Sequence, residues 1–87
     1  MRQEHRAGEL AYWDTFAGLV PCKVLAIVQD GKTLTLNARI RLTADRGPYK
    51  RGEITLVRAS HVAPRSSIRK RKHGTRIVED YMWVQGD

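Results

Sequence analysis

The sequence predicts an all-β fold, a small antiparallel barrel of five to six strands with a basic segment and an apolar C-terminal strand or short helix behind it. Three observations predict it. Residues 33–43 alternate without a fault, with Leu34, Leu36, Ala38, Ile40 and Leu42 apolar and the intervening positions polar. A strand has period two, so this run buries one face and shows the other, bearing Arg39 and Arg41, to water. Asp30-Gly31 precedes it and lies between two strand patterns, the signal of a tight or slightly longer hairpin turn. Residues 19–29 form a Val-, Ile- and Leu-rich run, as expected of a strand buried on both faces in its middle.

The elements follow in order. Residues 1–8 are polar and end in Ala7-Gly8, which suits a loose arm. Residues 9–14 alternate, Leu10 and Tyr12 against Ala11 and Trp13, and make a first strand. Residues 15–18 turn, with Phe16 exposed or tucked beneath. The second strand spans 19–29 and tolerates Pro21 near its start. The alternating strand comes third. Residues 44–52 hold Asp45, Gly47, Pro48 and Gly52, so they form a connection longer than a minimal turn. A fourth strand spans 53–59. Residues 60–64 are too few for a helix and suit one 3₁₀ turn; a short fifth strand follows at 65–68. The barrel thus covers residues 9–68, a basic linker 69–76, and a docking segment 77–87. In that last segment β-branched and aromatic enrichment favours a strand over a helix.

This order of strands, hairpins and a single helical turn resembles the SH3-like small barrel. The stretch Tyr49-Lys50-Arg51-Gly52-Glu53-Ile54-Thr55-Leu56-Val57 looks like the basic-Gly-acidic and β-branched pattern of KOW- and Tudor-like barrels, although the second glycine of a KOW signature is missing. The general look of the chain is similar to small bacteriophage proteins.

At 87 residues the chain makes one domain. Its formal net charge of +7 calls for an acidic partner: nucleic acid, an anionic surface or an acidic protein. The densest cationic stretch holds Arg65, Arg69, Lys70, Arg71, Lys72 and Arg76. Phosphate backbones bind such clusters because each neutralised phosphate releases condensed counterions. A second basic set is Arg39 and Arg41 on the outer face of the long strand with Arg46, Lys50 and Arg51 at the following connection, where Tyr49 lies beside Lys50 and Arg51 and Tyr12 or Trp13 is a neighbour across the barrel. Aromatics interleaved with cations stack bases in single-strand binders. The expected function is therefore non-catalytic nucleic-acid binding, mainly electrostatic and weakly sequence-specific, since no recognition helix is visible. The alternative is a protein-interaction module for an acidic host or virion surface, using Tyr81, Met82 and Trp83.

Catalytic patterns are lacking. Cys22 sits in an apolar strand, where its thiol pKa rises and its nucleophilicity falls. His5, His61, His73 and Cys22 have no metal-ligand spacing. Asp14, Asp30 and Asp45 fall at turns, where aspartate is a turn former. No enzyme activity, cofactor or metal is expected. The single thiol favours a reducing, cytoplasmic setting, and neither a signal peptide nor a membrane span is expected.

Overall fold

The computed structural model describes residues 3–70, 76–78 and 80–85. Its strands are β1 (Gln3–His5), β2 (Leu10–Thr15), β3 (Gly18–Gln29), β4 (Leu36–Leu42), β5 (Ile54–Arg58), β6 (Val62–Pro64), β7 (Ile68–Lys70), β8 (Arg76–Val78) and β9 (Tyr81–Trp83). Two 3₁₀ turns, Ala59–His61 and Arg65–Ser67, flank β6. The fold is all-β. No described helix is long and apolar enough to cross a membrane.

Five strands form the main antiparallel sheet, in the order β5-β4-β3-β2-β6. Among the described residues no pairing between β5 and β6 closes it. The inner face carries Ala11, Val20, Cys22, Val24, Ala38, Ile40, Leu42 and Val62, all at 0–1% exposure. Arg39 and Arg41 point the other way and are exposed, as the alternation requires. A register shift between Val24 and Ala26 interrupts the β3–β4 ladder. Such a bulge bends the strand and re-aims its side chains. Both Ala26 and Ile27 are consequently buried, which the Val-, Ile- and Leu-rich run anticipates.

The structure departs from expectation in four places. The alternation of 33–43 becomes a strand only from Leu36. Asp30 Oδ1 accepts the backbone N–H of Lys32 at 2.8 Å and of Thr33 at 3.4 Å. Asp30 N–H in turn donates to the Thr35 carbonyl at 2.8 Å, and Leu34 takes a left-handed φ of 60° with its side chain exposed. A side-chain-organised loop thus replaces the first turn of the pattern. The fifth strand of the sheet is Val62–Pro64, paired to β2, whereas residues 65–67 form the second 3₁₀ turn. The supposed arm contains β1, which pairs in parallel with β9 (Gln3↔Tyr81, His5↔Trp83). The ends of the supposed basic linker, β7 and β8, pair antiparallel with each other.

His5 and Trp83 anchor the β1–β9 pair. Trp83 is 5% exposed, and its indole N–H donates to the Val62 carbonyl at 2.8 Å. His5 is buried at 5.8 Å from the Trp83 ring, centroid to centroid. Its Nδ1 donates to Glu9 Oε1 at 2.7 Å. Tyr81–Trp83 therefore dock on the protein's own core as a strand, with Tyr81 half-buried and Met82 exposed.

Candidate functional site

Two turns far apart in sequence meet at one end of the sheet. In the first, Thr15 Oγ1 donates to the Gly18 carbonyl at 2.8 Å and accepts the Ala17 N–H at 3.1 Å. In the second, Arg46 and Tyr49 exchange two backbone hydrogen bonds of 2.9 Å. Gly47 lies between them at a φ of +56°, where a Cβ would come within 3.0 Å of the Ala17 Cβ. Glycine is thus needed there for both conformation and close approach.

The junction gathers three aromatic rings. Tyr49 lies 4.8 Å from Trp13 in an edge-on contact and 5.9 Å from Phe16 in a tilted one, both between ring centroids. Trp13 and Tyr49 are half-buried, whereas Phe16 is 85% exposed. Arg46, Lys50 and Arg51 are exposed on the same connection. The neighbouring acids are engaged with backbone. Asp45 Oδ1 accepts the Arg51 N–H at 2.7 Å, and Glu53 Oε1 accepts the Lys50 N–H at 3.0 Å. The three cationic side chains form no ion pair with any described residue.

Tyr49 does lie inside a basic stretch with an aromatic neighbour, and Trp13 rather than Tyr12 is that neighbour. Of the two placements open to Phe16, exposed or tucked beneath its turn, the structure shows the exposed one. Its signal was an aromatic in a four-residue turn, too short to bury it.

The rest of the second basic set, Arg39 and Arg41, occupies the outer face of the sheet. Register places Leu10, Lys23, Arg41 and Ile54 in one cross-strand row, with Arg39 beside Leu56 and Asn37 beside Arg58. Strands β3 to β6 carry no acidic residue. Leu10, Ile54 and Leu56 are 49–59% exposed there.

Arg65 is braced rather than free. Its Nε donates to the Ala11 carbonyl at 3.3 Å, Nη2 donates to Thr43 Oγ1 at 3.4 Å, and the guanidinium carbon sits 5.0 Å from the Tyr12 ring centroid. Within the remaining basic stretch, register opposes Arg69 to Ile77 and Lys70 to Arg76. Arg71 and Lys72 lie outside the described residues, and Arg69, Lys70 and Arg76 are described as backbone alone.

A cleft of about 420 Å³ opens beside the first turn, lined by Tyr12, Asp14, Gly18, Leu19, His61 and Tyr81 among others. Burial raises the Tyr81 phenol above its usual pKa. Cys22 is fully buried, and burial pushes its thiol up to about 11 against the lowering effect of Arg65. Among the described residues no cluster of His, Cys, Asp and Glu has the makings of a metal site.

No protein-family model, curated protein or solved structure matches this chain.

Proposed function

We propose that this chain is an SH3-like small-barrel protein that binds nucleic acid without catalysis, in a reducing cytoplasmic setting. One observation carries the reading: an exposed Phe16 ring resting on Tyr49, beside the cations Arg46, Lys50 and Arg51, which pair with no described acid. An 85%-exposed phenylalanine buries little of its ring in its own fold. A nucleobase is a natural cover for it, because every base has a π-face and phosphates on either side for the cations. The SH3-like part of the reading draws support from the sheet order, the long bulged β3 and the 3₁₀ turn between β5 and β6. The Arg65–Arg76 stretch adds positive charge to the chain.

A second reading, an acidic protein surface, has its own support in Ile54 and Leu56, which sit exposed beside Arg39 and Arg41. Aliphatic side chains do not stack bases, but they do cover a protein partner. A pull-down with and without nuclease separates the two.

The direct test is oligonucleotide binding across a salt series. Arg46, Lys50 and Arg51 replaced together by Ala should flatten the log–log salt slope by about 2 units on single strands. Ala at Arg69, Lys70, Arg71 and Lys72 should flatten it by up to about 3 units. Phe16→Ala should weaken binding about tenfold through lost stacking while leaving the slope unchanged. Absence of binding to any nucleic acid at about 50 mM salt, where the electrostatic term is strong, overturns the proposal.

A further inference from the structure

We infer that the cleft beside the β2–β3 turn is a base pocket, and that it takes a guanine of a single-stranded nucleic acid with Asp14 reading the base's Watson–Crick edge. The inference rests on the nucleic-acid reading above and deepens it.

The cleft's 420 Å³ suits a small planar group. Tyr12 and Tyr81 supply aromatic rings and Leu19 an apolar wall. Asp14 is exposed at the cleft, and no described residue gives it a hydrogen bond or an ion pair. A free carboxylate offers two acceptor oxygens and no donor. Guanine alone presents two adjacent donors on its Watson–Crick edge, N1–H and the N2 amine. Adenine and cytosine each set a ring acceptor beside their amine, and uracil flanks its one donor with carbonyls. The carboxylate therefore matches guanine and opposes a lone pair on the other bases.

Two cations lie close to residues that line the cleft and would be available to the phosphates of such a nucleotide. A Cβ at Gly18, on the cleft wall, would lie 3.9 Å from Arg46 Nη1, so this guanidinium borders the opening. Arg65 lies over Tyr12, one of the cleft's two tyrosine rings, and is held in place by Ala11 and Thr43. A fixed guanidinium loses little freedom on meeting a phosphate. Phe16 belongs to the same turn as Gly18. A strand crossing that turn can rest one base on Phe16 and place a neighbour in the cleft.

The test uses eight-nucleotide oligothymidine or oligouridine strands with one central guanine, inosine or adenine, measured by fluorescence anisotropy. The guanine strand should bind about tenfold more tightly than the adenine strand. Inosine, which lacks the N2 amine, should fall between them. Asp14→Asn should erase the ranking among the three strands while the salt slope stays as in the wild type. A melt of this variant checks its fold, and the guanine–inosine difference in the wild-type protein decides independently of it. Equal affinities for the three strands with a normal salt slope would overturn the pocket and leave the nucleic-acid reading standing. A ranking that survives in a folded Asp14→Asn variant would overturn the role given to the carboxylate. No binding by any strand would overturn both readings.

Discussion

Truncating Trp83 to alanine should unlatch the C-terminal strand and cost a large part of the total stability. The indole is 5% exposed, packs against His5, and donates to the Val62 carbonyl at 2.8 Å. Removing a buried aromatic of this size typically costs about 3–5 kcal/mol. An 87-residue domain has roughly 4–13 kcal/mol in all, from the usual per-residue range. For a chain of this length each kcal/mol moves the melting midpoint by about 4–8 °C, so the fall should be at least about 12 °C. Trp83→Phe keeps most of the apolar volume and loses only the N–H donor. It should cost about 1–2 kcal/mol, through the unpaired Val62 carbonyl and the smaller ring. Circular-dichroism melts of the three proteins measure this directly. An unmoved midpoint in Trp83→Ala would refute the reasoning: the segment would then be free in solution and available to a partner, which would favour the protein-interaction reading.

Three further outcomes are expected. Ile40→Asp should leave the chain unfolded by circular dichroism, because it places an unpaired charge at a fully buried position of β4, whereas Arg41→Asp on the opposite face should change stability by no more than about 1 kcal/mol. The Cys22 thiol should react slowly with a bulky reagent in the native protein and fast after denaturation, and it sets an alkaline limit as well. Its folded pKa of about 11 lies above the ordinary thiol value of 9.0, so its stabilisation is full below pH 9 and is lost as pH rises towards 11; melts between those pH values should fall less steeply in Cys22→Ala. Raising salt from about 20 to 200 mM should raise the melting midpoint of the free protein, because screening relieves repulsion among its cations; a midpoint that falls with salt would count against that repulsion.

What the sequence made legible follows from the range of each interaction. Leu36 to Leu42 were readable because their period-two pattern is set by one buried face. The same pattern misled at Thr33–Thr35, where the Asp30 carboxylate competes for the backbone within a few residues. A perfect alternation of types carries no record of such a local hydrogen bond. The short β1 was hidden for the opposite reason. Gln3-Glu4-His5 has no strand periodicity of its own, and its partner lies at Tyr81–Trp83, at the far end of the chain. The site divides in the same way. Arg46, Tyr49, Lys50 and Arg51 stood out because they are contiguous, but the approach of Phe16 depends on register across β2, β3 and β4 and on Gly47 against Ala17. Asp14 read as a turn former, and only the placement of Tyr12, His61 and Tyr81 around it reveals the cleft.

The distribution of acids explains why the charge excess faces outward. Four of the nine acidic residues bind nearby backbone N–H groups: Glu9 that of Arg6, Asp30 those of Lys32 and Thr33, Asp45 that of Arg51, and Glu53 that of Lys50. Each holds a turn, and Glu9 also accepts the hydrogen bond of His5 Nδ1. These four acids thus serve local structure, while Lys23, Arg39, Arg41, Arg46, Lys50, Arg51 and Arg58 have no ionic partner among the described residues. A surface built only for solubility intersperses both signs and avoids a large field of one sign. Here the sheet face and the turn junction keep cations unopposed, at a cost in self-repulsion that a bound polyanion would remove. Bound phosphates would at once neutralise Arg46, Lys50 and Arg51, and a base would cover Phe16. Both unfavourable features of the free surface are therefore relieved by a single class of ligand, whereas an acidic protein relieves the first and needs an apolar pocket of its own to relieve the second.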